Sequence, residues 1–121
     1  MTEDKAINIA KYWVKNMRIR LPIKINFGDV NEGSFSESIE EGGKWIIFLR
    51  LERDDKRIEE DIICELVRCK IRKMEDGLQA LQWVLGDFFY KSDVIKVECS
   101  LTDIEEVIKD ALIRKFGRYK E

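Results

Sequence analysis

At 121 residues with 45% hydrophobic side chains, the chain suffices for one hydrophobic core and reads as one domain spanning 1–121. Charged residues reach 38%, above the usual quarter or so and thermophile-like, yet they cancel to a net charge of −2, which excludes a global basic field toward nucleic acid or anionic lipid. Histidine is absent, which excludes histidine-based acid–base chemistry and histidine–zinc sites, and the longest apolar run, Trp45 to Leu49, is too short to cross a bilayer.

The N-terminal Met1-Thr2-Glu3-Asp4 is acidic and opens no apolar stretch, so it reads as carrying no secretory signal. From about Glu3 to Arg18, Ala6, Ala10, Trp13, Val14 and Met17 recur at helical spacing. Thr2 is the candidate N-cap, Glu3 and Asp4 suit the positive end of the dipole, Lys15 and Arg18 suit the other end, and Pro22 blocks continuation. Residues 22–27 alternate Ile23, Ile25 and Phe27 with Lys24 and Asn26, the pattern of a half-buried strand. After a polar loop from Gly28 to Gly33, Ser34 to Ile39 reads as a weak strand anchored by Phe35 and Ile39. Glu41-Gly42-Gly43-Lys44 is a tight turn, and Lys44 to Leu51 is apolar on both faces, which predicts a central strand with something packed on each side.

A helix is expected over roughly 56–74, with a wide apolar face from Ile58 to Met74, closed by Asp76-Gly77. A further helix is expected over 78–90 and a short strand over 94–99. The last helix begins at a Thr102–Glu105 capping box, has an apolar stripe of Ile104, Val107, Ile108, Ala111, Leu112 and Phe116, and ends at Gly117. The expected fold class is α+β: an N-terminal helix, a small, mostly antiparallel three-stranded sheet, a long central helix, then two further helices with a short strand between them.

The order and spacing of Leu21 to Phe27, Gly33-Ser34-Phe35, Trp45 to Leu49 and Ile62 to Arg68 resemble the opening half of the minimal zincin metallopeptidases, the HExxH class. The resemblance aligns Cys64-Glu65-Leu66-Val67-Arg68 with HExxH. Glu65 and Leu66 match, whereas Cys64 and Arg68 stand where the family has its two histidine ligands. In that motif two histidines one turn apart hold zinc while the glutamate acts as general base on metal-bound water. A guanidinium has no lone pair and is permanently charged, so Arg68 replaces a ligand with a cation. The resemblance therefore implies a metal-free pseudoenzyme without catalytic residues or cofactor, in which Asp61, Cys64, Glu65, Arg68 and Arg72 border a remnant cleft.

At about 100° per residue, Asp61, Glu65, Arg68 and Arg72 form one polar helix stripe with Cys64 at its edge. The plain physical reading of that stripe is a solvated ion-pair ladder with its charges ordered as the helix dipole favours. The three cysteines, Cys64, Cys69 and Cys99, show no CxxC spacing, which predicts reduced thiols in a cytoplasmic protein. Cys64 and Cys69 point roughly 140° apart on a helix and do not share a metal. Cys64 beside Arg68 reads either as an inert core-edge thiol or as one with a lowered pKa and redox sensitivity. The run Phe88-Phe89-Tyr90 is hard to bury on one helix and suggests a contact surface.

Two basic clusters, Lys11, Lys15, Arg18, Arg20 and Arg114, Lys115, Arg118, Lys120, give the alternative: a small nucleic-acid-binding regulator. Both also sit at helix C-termini, where cations are expected for local reasons. The leading expectation is a non-catalytic zincin-like domain acting through a protein partner or its own copy, with no membrane involvement.

Overall fold

In a computed structural model of the chain, the backbone is described for residues 1–85 and 105–121 and the side chains for residues 1–72 and 105–121. The element order is α1 (Glu3–Asn16), β1 (Ile23–Phe27), β2 (Ser36–Glu41), β3 (Lys44–Leu49), α2 (Asp55–Leu85) and α3 (Glu105–Phe116). The expected strand over 94–99, the run Phe88 to Tyr90, Cys99 and Thr102 lie outside the described residues. Among the described residues, no helix is long and apolar enough to cross a membrane.

Thr2 caps α1 as expected, its hydroxyl accepting from the Lys5 amide at 3.2 Å. The helix stops before Pro22 can act. The Arg18 amide donates to the Lys15 carbonyl and the Ile19 amide to the Val14 carbonyl, the paired bonds of a Schellman motif. That motif needs a left-handed residue, usually glycine, at the position of Arg18. Arg18 has φ 54° and is the one non-glycine residue with positive φ among those described. A Cβ in this conformation costs about 1 kcal/mol.

The sheet order is β1-β3-β2. Gly42 and Gly43, at φ 59° and 75°, make the tight turn that forces β2 and β3 together as an antiparallel hairpin. β1 instead joins the far side of β3 in parallel, with Ile23 opposite Trp45 and Phe27 opposite Leu49. The sheet is thus mixed rather than mostly antiparallel. The connection over residues 28–35 is long enough to carry the chain past β3 to the opposite edge. β3 is central, as its apolar run predicted. Trp45, Ile47 and Leu49 are buried toward the helices, while Ile46 and Phe48 on the other face are only half-buried.

Two further expectations fail in instructive ways. The break at Asp76-Gly77 is absent, and α2 runs on to Leu85; an interior glycine weakens a helix by about 1 kcal/mol without forcing it to end. β2 presents the opposite phase from the one expected. Phe35 and Ile39 are exposed, whereas Ser36, Ser38 and Glu40 share the face of Leu49, Ile47 and Trp45 that turns toward α2.

The core forms where α1 and β3 pack on α2. Ala6, Ile9, Ala10 and Trp13 meet Ile47, Leu49, Ile58, Ile62, Ile63 and Leu66, all buried. Trp13 also donates its indole N–H to Glu59 at 2.8 Å and meets Phe116 of α3 edge to face. In α3 the packed residues are Ile108, Leu112, Ile113 and Phe116, while the expected Val107 and Ala111 are exposed. Gly117, at φ 77°, ends α3 as predicted.

Candidate functional site

The polar stripe of α2 is not a uniformly solvated ladder. Glu65 is 1% exposed, because its side chain points into the layer between α2 and β2. A carboxylate there needs donors to replace water. The inverted face of β2 supplies them: Ser36 Oγ donates to Glu65 Oε2 at 2.8 Å and Ser38 Oγ to Oε1 at 2.7 Å. Arg68 Nη1 donates to both oxygens, at 2.9 and 3.0 Å. Trp45 pins the same turn of α2, its indole N–H reaching the Glu65 carbonyl oxygen at 3.1 Å.

Arg68 is held from a second side. Its Nε donates to both carboxylate oxygens of Glu105 at 3.1 Å. Glu105 thereby ties α3 to α2; the capping box expected of it involves Thr102, which lies outside the described residues. Burial works against the Arg68 charge, but Glu65 and Glu105 outweigh it and hold the pKa above its ordinary value. Beside this cluster lies a groove of about 680 Å³ bordered by Ser38, Glu40, Trp45, Arg68, Arg72 and Glu105.

The remaining stripe residues divide. Arg72 lies on the groove wall with Arg68. Asp61 is one turn away in a separate contact, accepting from Arg53 Nη1 at 3.0 and 3.1 Å, while the Arg53 guanidinium stacks over Phe35 at 4.1 Å. Burial raises the Asp61 pKa despite Arg53. Cys64 is half-buried beneath α3, with Sγ 4.0 Å from Glu106 Oε1. The downward pull of Arg68 on its pKa is outweighed. Burial first, then Glu106, push it up to about 12. We therefore expect peptide mapping after iodoacetamide treatment at pH 8 to show Cys64 alkylated about a hundredfold or more slower than a free cysteine, accelerating as pH rises toward 12. Labelling at the free-cysteine rate near neutral pH would contradict this placement. Cys69 is buried on another face of α2.

Zinc, the metal that the HExxH class binds at this position, does not fit this donor set. Arg68 presents N–H donors and a positive charge where a lone pair is required, it bridges Glu65 and Glu105, and Cys64 retains its proton near neutral pH. Among the described residues, no group of three or more His, Cys, Asp or Glu side chains is arranged to hold a metal ion.

The two basic clusters fare differently. Lys11, Lys15, Arg18 and Arg20 come together along one groove of about 840 Å³ between α1 and β1. Lys115 borders an adjoining concavity with Lys15 and Arg18. Arg118 is drawn away to Glu59 and Glu60, at 3.6 and 3.0 Å, while Arg114 and Lys120 are exposed.

Ser36, Ser38, Trp45 and Glu105 were not singled out as site residues from the sequence. Their one legible signal is the Ser-x-Ser spacing, which puts two hydroxyls on one strand face. No protein-family model, no curated protein and no solved structure matches the chain.

Proposed function

We propose that the chain is a non-catalytic, zincin-like domain that acts by binding another protein. The observation that carries this reading is the state of Glu65. In an HExxH enzyme that glutamate must accept a proton from metal-bound water. Here both carboxylate oxygens are occupied by Ser36, Ser38 and Arg68, and Arg68 is clamped in turn by Glu105. A base saturated by donors and lying against a fixed guanidinium has no lone pair directed at a substrate. The groove beside it retains concave shape and charge, which suits recognition.

The test combines metal analysis with proteolysis. Purified protein should contain well under one zinc per chain, should not cleave unfolded protein substrates, and should be unchanged in both respects by Glu65→Gln. Stoichiometric zinc together with cleavage abolished by Glu65→Gln would sink the reading.

Nucleic-acid binding stands second. It is favoured by the juxtaposition of Lys11, Lys15, Arg18 and Arg20, and weakened by the capture of Arg118 in ion pairs.

A further inference from the structure

The groove between α1 and β1 combines two features that neither predicted cluster revealed. Its floor is apolar: Ile7, Val14, Leu21, Ile23 and Ile25 line it, and each is only half-buried. Its rim is cationic, formed by Lys11, Lys15, Arg18, Arg20 and Lys24, all exposed. Two adjoining concavities share Arg18 and add Lys70 and Lys115, and among the described residues no carboxylate lines any of the three. None of these seven cations is in an ion pair among the described residues. In a chain with 22 basic and 24 acidic side chains, this gathering makes one strongly positive face among the described residues.

The groove runs beside an open strand edge. In the β1–β3 ladder the Trp45 amide donates to the Pro22 carbonyl and the Gly28 amide to the Leu49 carbonyl. The parallel register therefore turns Lys24 and Asn26 toward β3, and it turns the N–H and C=O of Ile23, Ile25 and Phe27 outward. Among the described residues no strand pairs with that edge.

We propose that this groove receives an extended acidic segment of a partner protein, laid along β1 as an additional strand. Side chains of an added strand alternate between its two faces, so apolar residues can reach the floor while carboxylates meet the rim. A nucleic-acid backbone would satisfy the cations but has no comparable apolar face to cover the five floor side chains. A second copy of this chain paired edge to edge would bring two copies of the same cationic rim together, a like-charge contact. Arg18 stands where all three concavities meet and holds a left-handed backbone that glycine would adopt without strain. The proposal rests on the protein-binding reading but on no residue of the Glu65–Arg68 cluster, so either can fail alone.

The test is fluorescence anisotropy with a capped, labelled nonapeptide of alternating glutamate and valine. Saturable binding is expected, weakened about tenfold or more by Lys11→Gln/Lys15→Gln. It should be lost when alternate peptide amides are N-methylated, and absent for the lysine–valine analogue. Arg18→Gly should raise the Tm yet weaken binding, which a purely structural role would not produce. No binding of the glutamate peptide overturns the proposal. So does affinity indifferent to Lys11→Gln/Lys15→Gln or to N-methylation. A short DNA duplex that displaces the peptide and binds more tightly would assign the face to nucleic acid and equally overturn it.

Discussion

Arg68→Met should destabilise the fold by about 3 kcal/mol in urea or thermal denaturation, although Arg68 is itself nearly half exposed. The cost arises at its partner. Removing the guanidinium leaves the Glu65 carboxylate buried with only two serine hydroxyls, and breaking a buried pair from one side costs about 3–5 kcal/mol. The exposure of Arg68, at 47% of its side chain, places the expectation at the lower end of that range. Replacing the whole cluster should behave differently. Glu65→Met/Arg68→Met with Ser36→Ala/Ser38→Ala removes the Glu65 charge together with its three side-chain donors, leaving Glu105 as the one carboxylate that loses Arg68, and should recover most of the loss. A single variant that unfolds like the parent would show that the cluster is not the buried ion pair described. A fully apolar variant as unstable as the single one would show that the four side chains do not act as a unit. Recovery of stability in the apolar variant would also mean that the polar cluster is not required for folding, as expected of a site retained for recognition.

Trp13→Ala carries the largest expected loss, about 4 kcal/mol, or roughly 15 °C in Tm for a chain of this size. Trp13 is fully buried and joins three elements: it packs in the α1–α2 core, meets Phe116 of α3, and donates to Glu59. Glu59 is buried as well, and its other contacts are the Tyr119 amide at 2.8 Å and Arg118 at 3.6 Å. The alanine variant therefore opens a cavity and weakens the network that ties down the C-terminal residues. Trp13→Phe keeps most of the ring and loses the N–H, so it should cost about 2 kcal/mol. Equal melting of Trp13→Phe and the parent would show that the Glu59 bond adds nothing. A Trp13→Ala loss near 1 kcal/mol would mean that the core closes around the gap.

These two sites also separate stability from recognition. Neither Trp13 nor the Glu65–Arg68 pair lines the basic groove, so peptide binding there should survive substitutions that lower the Tm, provided the measurement is made below the transition.

Local rules were enough to locate most elements from the sequence. Thr2 starts α1, Gly42-Gly43 turns the hairpin, Gly117 ends α3, and the alternation of Ile23, Ile25 and Phe27 marks β1, because each signal depends on backbone geometry within a few residues. The missing histidines and the permanent charge of Arg68 were equally legible, as properties of residue type alone. What required the tertiary structure was the identity of the neighbours. Ser36 and Ser38 look like solvent-facing residues beside Phe35 until Glu65 is known to lie opposite them, and then the phase of β2 inverts. Cys64 reads either as an inert core-edge thiol or as one activated by Arg68 until burial and Glu106 are placed around it, and these decide for the inert thiol. The parallel β1–β3 pairing and the gathering of seven cations on one face depend on contacts between residues far apart in the chain. Burial and long-range electrostatics decide such features, and neither is written in the spacing of a single segment.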